Sequence, residues 1–91
     1  MEILVKYTGV FSFLTGKTHE KLHLSSGATC RDLFSLLIKK YGKKMETEIY
    51  DNEGRIRFTT LIIVDGKSIQ NTNIPLKNGI TIMMMHPISG G

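Results

Sequence analysis

A single cysteine, Cys30, is all the thiol chemistry in the chain, which excludes an internal disulfide and with it the stapled scaffold of small secreted domains. Long apolar runs are missing too. No stretch approaches the roughly 20 residues needed to span a bilayer. The chain opens on Glu2-Ile3-Leu4-Val5-Lys6, where a secretory leader would show a basic region and a small-residue cleavage site. These absences predict a soluble, cytoplasmic protein. There is no internal repeat, no low-complexity segment, and no aromatic stripe of the kind on which nucleic-acid bases stack. The net charge of +4 is mild, although Lys39, Lys40, Lys43 and Lys44 cluster at the end of a predicted helix, where lysines complement the helix dipole. That patch suits an acidic protein partner better than a nucleic acid, and neither nucleic acid nor a membrane is expected as a partner.

What is present fits one small domain: 91 residues, 41% of them hydrophobic, enough for a single modest core. Residues 2 to 7 alternate, with Ile3, Val5 and Tyr7 on one side, as a half-buried strand would. Thr8 to Thr18 reads as a connecting loop with a short irregular piece at Val10 to Leu14, and His19 to Leu24 as a second strand in a hairpin with the first. Thr29 followed by Asp32 approximates a capping box, so a helix should begin there. Leu33, Leu36, Leu37 and Tyr41 recur at helical spacing, and Gly42 supplies the stop.

Lys43 to Tyr50 is amphipathic but short, which leaves a small helix and an edge excursion both open. Leu61-Ile62-Ile63-Val64, then Asp65-Gly66, then Lys67-Ser68-Ile69 is the clearest hairpin signal, because Asp-Gly suits two-residue primed turns. Ile80 to Met85 is the last strand. Within it Met83 and Met85 are assigned to the core, and Met84 is left between core and interface. This order, strand, strand, helix, strand, short strand, strand, predicts an α+β β-grasp fold: a mixed sheet of four to five strands crossed by one main helix, its first and last strands parallel at the centre. The expected division is a domain over 1–85 and an extended tail over 86–91.

That tail ends in Ser89-Gly90-Gly91. Two glycines in succession make backbone thin enough to enter a narrow active-site channel. His86 to Gly91 would reach roughly 20 Å if extended, far enough to deliver a carboxylate into a partner enzyme. A frayed terminus is the plain alternative.

Three passages carry a family resemblance: Ile74-Pro75-Leu76-Lys77-Asn78-Gly79, the hydrophobic strand Ile80 to Met85, and His86-Pro87-Ile88-Ser89-Gly90-Gly91. The chain resembles the ubiquitin-like sulfur carriers of the MoaD/ThiS type, closest to the small subunit of molybdopterin synthase. The family shows a Pro-Leu before a glycine turn, a Val-Asn-Gly-Arg hairpin like Val64-Asp65-Gly66-Lys67, and a Pro-Pro-Val-Ala-Gly-Gly tail. Here His86 replaces the first tail proline, Ser89 the alanine, and Ile80 and Thr81 two acidic residues.

The resemblance implies that an adenylating, ubiquitin-activating-like enzyme uses ATP and Mg²⁺ to turn the Gly91 carboxylate into an acyl-adenylate. A persulfide sulfur donor then yields the Gly91 thiocarboxylate, which delivers sulfur to a pterin precursor in the large subunit of molybdopterin synthase. Gly91 is the site of attachment, Gly90 supplies clearance, and His86, Pro87, Ile88 and Ser89 are the residues expected to meet partners. The chain itself holds no cofactor and is a carrier, not an enzyme. Thiamine synthesis, tRNA thiolation and conjugation to protein lysines are alternative destinations for the same activated glycine. A β-grasp interaction module whose tail is never activated is the alternative of another class.

Other residues point to less. Cys30, near a helix start, is read as a small buried side chain because no basic partner for a thiolate is identifiable. His19 and His23 share a strand face, but no acidic or cysteine cluster completes a metal site. His86 is expected either to contact a partner or to stand in solvent.

Overall fold

The computed structural model describes residues 1–86; Pro87, Ile88, Ser89, Gly90 and Gly91 lie outside the described residues. Its elements are β1 (Glu2–Tyr7), α1 (Val10–Thr15), β2 (His19–His23), α2 (Cys30–Tyr41), α3 (Lys43–Ile49), β3 (Leu61–Val64), β4 (Lys67–Ser68) and β5 (Thr81–Met85). They build a five-stranded mixed sheet in the order β2-β1-β5-β3-β4. β1 and β5 run parallel at its centre, with Val5 opposite Ile82 and Tyr7 opposite Met84. This is the β-grasp arrangement that the order of elements predicts.

Alternation in β1 places Ile3, Val5 and Tyr7 on the inner face, all but fully buried, against Leu33, Phe34 and Leu37 of α2 in one core. The capping box of α2 is real: Thr29 Oγ1 accepts the Asp32 amide at 3.4 Å, and the Asp32 carboxylate accepts the Thr29 amide at 2.8 Å. At the other end Gly42, with φ of 89°, donates its amide to the Ile38 carbonyl at 2.7 Å and lets the chain turn directly into α3. The segment left open between helix and edge excursion is thus a helix, with Met45 and Ile49, one turn apart, both fully buried. The hairpin between β3 and β4 turns through Asp65 and Gly66, whose φ values of 51° and 82° are both positive, as a type I′ turn requires.

Two expectations need correction. The piece at 10–15 is a regular helix, closed by Gly16 donating to the Ser12 carbonyl at 2.8 Å, and not an irregular excursion. The assignment of Met83 and Met85 to the core is the other, and Met84, left open, is the core residue. Met84 is fully buried, while Met83 and Met85 lie half-buried on the opposite face. The reason is register: Met84 stands between Tyr7 of β1 and Ile62 of β3, both core residues, so the period of two sends its neighbours outward.

Glu20, for which the sequence sets no expectation, is a carboxylate on the inner face of β2 with only 8% of its surface exposed. It is held by four donors. Tyr7 and Tyr41 donate their hydroxyls to Oε2 at 2.6 Å each, and Lys40 and Lys17 reach Oε1 at 2.6 and 3.2 Å. Burial by itself would raise this carboxyl, but the bonds from Lys40, Tyr41, Tyr7 and Lys17 outweigh it and pull it down to about 2. The same burial, then the bond to Glu20, pushes the Tyr7 phenol upward. The cluster pins the end of α2 across β1 and β2.

Candidate functional site

The tail residues Pro87, Ile88, Ser89, Gly90 and Gly91 fall outside the described residues, so the site is built from its root, His86, and from the surfaces around it. His86 follows β5 directly and does not stand free in solvent. Its side chain is only 17% exposed. The reason begins in the end of α3, where the last carbonyls of a helix lack intrahelical partners. Arg57 donates Nε to the Thr47 carbonyl at 2.7 Å, its guanidinium to Tyr50 at 3.1 Å and its backbone amide to Ile49 at 2.8 Å. Thr60 donates its hydroxyl to the Glu48 carbonyl at 2.5 Å. Segment 57–60 is thereby fixed against α3, and Thr60 is buried.

His86 Nε2 lies 3.3 Å from Thr60 Oγ1 and 3.2 Å from Glu48 Oε2. Phe11 of α1 meets the imidazole edge-on, ring centroids 5.3 Å apart at 90°. The imidazole is thus held by α1, by α3 and by the segment leading into β3. Sequence reasoning offered a partner contact or plain exposure for His86; the contacts found here are internal.

Beside the root, the outer face of the sheet carries a half-buried apolar row. Met83 is flanked by Ile63 of β3 and by Lys6 of β1, while Met85 pairs with Leu61 and Leu4 with Thr81. A second apolar surface lies between α1 and α3, where Val10, Phe13, Leu14 and Tyr41 form a groove with Lys43, Lys44, Thr47 and Glu48. Phe13 there and Phe58 on the 57–60 segment are each 89% exposed. The exposure of Phe13 follows from α1: with Phe11 two positions earlier on the same helix, both rings cannot face the core.

The remaining sequence candidates do not assemble into a site. Cys30 is fully buried and burial pushes its thiol up to about 12, so it is no nucleophile at neutral pH. His19 and His23 are exposed on strand β2, and the described residues contain no group of three or more His, Cys, Asp or Glu able to hold a metal ion. Of the lysine cluster, Lys40 is committed to Glu20 and Lys43 sits 3.3 Å from Glu46, while Lys39 is exposed and Lys44 lines the groove. Among the described residues no helix is long and apolar enough to cross a membrane.

Neither a family model nor the sequence of a curated protein matches the chain. Solved structures do. A putative molybdopterin converting factor, subunit 1, from Pyrococcus furiosus superposes with a TM-score of 0.76 at 27% identity, covering 97% of this chain and 99% of that one. The chain has the ubiquitin-like β-grasp fold and resembles the MoaD-type carriers. Its fold is shared with SAMP1 from Haloferax volcanii, at a TM-score of 0.85, 15% identity and full coverage of both chains. It is shared as well with the complex of subunits 1 and 2 of the molybdopterin-converting factor from Helicobacter pylori, at 0.64 and 21% over the whole of both chains. In this β-grasp frame β5 is the last strand before the glycine pair in the sequence.

Proposed function

We propose that this protein is a sulfur carrier whose Gly91 carboxylate is activated and converted to a thiocarboxylate. The observation that carries the reading is one of placement: Gly90-Gly91 begin five residues beyond Met85, the last residue of the central strand β5. A carboxylate is a poor electrophile, and sulfur transfer to it needs a leaving group. In the proposed sequence the Gly91 carboxylate attacks the α-phosphate of ATP held by an adenylating enzyme, and pyrophosphate leaves. The terminal sulfur of a persulfide then attacks the acyl carbon, AMP leaves, and a thiol cleaves the resulting acyl disulfide to the thiocarboxylate. The partner supplies the ATP and Mg²⁺ site and the acid-base groups, so the chain carries the reacting atom without being a catalyst.

The receiving partner in this reading is the large subunit of molybdopterin synthase. Support comes from the likeness to the Pyrococcus protein and to a subunit 1 that forms a complex with its subunit 2. The half-buried apolar row Leu61, Ile63, Met83 and Met85 offers that subunit a surface continuous with the tail root. The test is pyrophosphate exchange into ATP by the cognate adenylating enzyme. Exchange that depends on adding the protein supports the reading; exchange that is absent with an enzyme active on another carrier rejects it.

A further inference from the structure

We infer that His86 is a positioning residue: a latch whose imidazole, clasped by Glu48, Thr60 and Phe11, sets the direction in which the tail leaves the domain. The hydrogen-bond inventory assigns its protonation. The Thr60 hydroxyl proton is already given to the Glu48 carbonyl at 2.5 Å, so toward His86 that oxygen can only accept. The Glu48 carboxylate also only accepts. Both face Nε2, at 3.3 and 3.2 Å, so Nε2 carries the proton and shares it between them. The other tautomer would set a nitrogen lone pair against a carboxylate.

Every contact of the latch comes from a different element. Glu48 lies on α3, Thr60 on the segment that Arg57 ties to the end of α3, and Phe11, fully buried, on α1. A surface imidazole lacking a role would not need two acceptors and an aromatic edge. The backbone adds a second constraint. Pro87 follows, and a residue before proline is confined to extended conformations. With its ring clasped and its backbone biased toward extended conformations, His86 narrows the directions open to the chain beyond it, beside Glu48, which also lines the α1/α3 groove. A tail that starts in one direction loses less conformational entropy on entering a narrow site.

The kinetic part of this inference rests on the sulfur-carrier reading; the structural part does not. In the isolated protein, nitrogen NMR should find His86 in the Nε2–H form. His86→Ala should change the ¹⁵N relaxation of residues 88 and 89 toward faster, wider motion, while Glu48→Gln, which keeps an acceptor, changes it less than Glu48→Lys. With the adenylating enzyme, His86→Ala should raise KM by about five- to thirtyfold, the factor for one further residue to be ordered on binding, with kcat moving far less. His86→Gln, which restores one N–H donor, should recover part of the loss. Unchanged relaxation in His86→Ala overturns the latch, and so does an unchanged KM. If the wild-type protein is never adenylated, the carrier reading fails and the relaxation result alone decides the latch.

Discussion

Two residues show how differently single positions act here. In the proposed reaction Gly90 gives the carboxylate clearance, so Gly90→Phe should leave unfolding free energy within about 0.5 kcal/mol of wild type. It should nevertheless lower tail-dependent pyrophosphate exchange by about 100-fold or more, because a bulky side chain displaces the carboxylate from in-line attack. Glu20 is the converse. Its carboxyl titrates at about 2 in the folded protein, below its ordinary 4.5. The charged network therefore contributes stability that is fully present above about pH 4.5 and is lost as pH falls through about 2. Glu20→Ala should cost on the order of 3 kcal/mol in urea unfolding at pH 7, since it leaves Lys40 and two tyrosine hydroxyls without their partner. That difference should shrink toward pH 2; a gap of constant size across this range would remove the carboxylate from the account. Neither Glu20 nor the clasp of His86 was legible in the sequence. Tyr7 and Tyr41 stand 13 and 21 positions from Glu20, and Thr60 stands 26 from His86, so no local pattern links them.

Elements were legible where local chemistry decides them. The Thr29/Asp32 box, the Gly42 stop and the Asp65-Gly66 turn each satisfy a backbone requirement within a few residues, and each is found as expected. α1 was not legible, because a six-residue helix between two glycines carries too little periodicity. The methionine run hid its parity for a related reason. Three identical side chains have no alternation to read, and only pairing with Tyr7 and Ile62 shows which one faces inward. The outward set has a consequence. Ile63 and Met83 are cross-strand neighbours on the outer face, and Ile63→Asp puts a charge in the middle of that apolar row. It should weaken capture of the synthase large subunit about tenfold or more with the far-ultraviolet spectrum unchanged. Capture at wild-type strength would place that partner on another surface.

At the scale of the whole molecule, the fold serves, in the proposed function, as a base for the C-terminal segment. β5 sits between β1 and β3, hydrogen-bonded on both sides, and α2 packs beneath it, so the residue at which the chain leaves the sheet is held by the most buried part of the domain. His86 extends that order by one residue through α1 and α3. The Gly-Gly motif and the β-grasp order were both open to sequence reading because they depend on chain order. The clasp of His86 was not, because it depends on three parts of the chain meeting at one imidazole. The central claim concerns a single functional group, the Gly91 carboxylate. Intact-mass measurement after incubation with ATP, the adenylating enzyme and a persulfide donor tests it most directly. A sulfur carrier should give a product heavier by the difference between sulfur and oxygen, located in the C-terminal peptide and absent without ATP; an unchanged mass, with the same enzyme and donor converting another carrier, would rule the thiocarboxylate out.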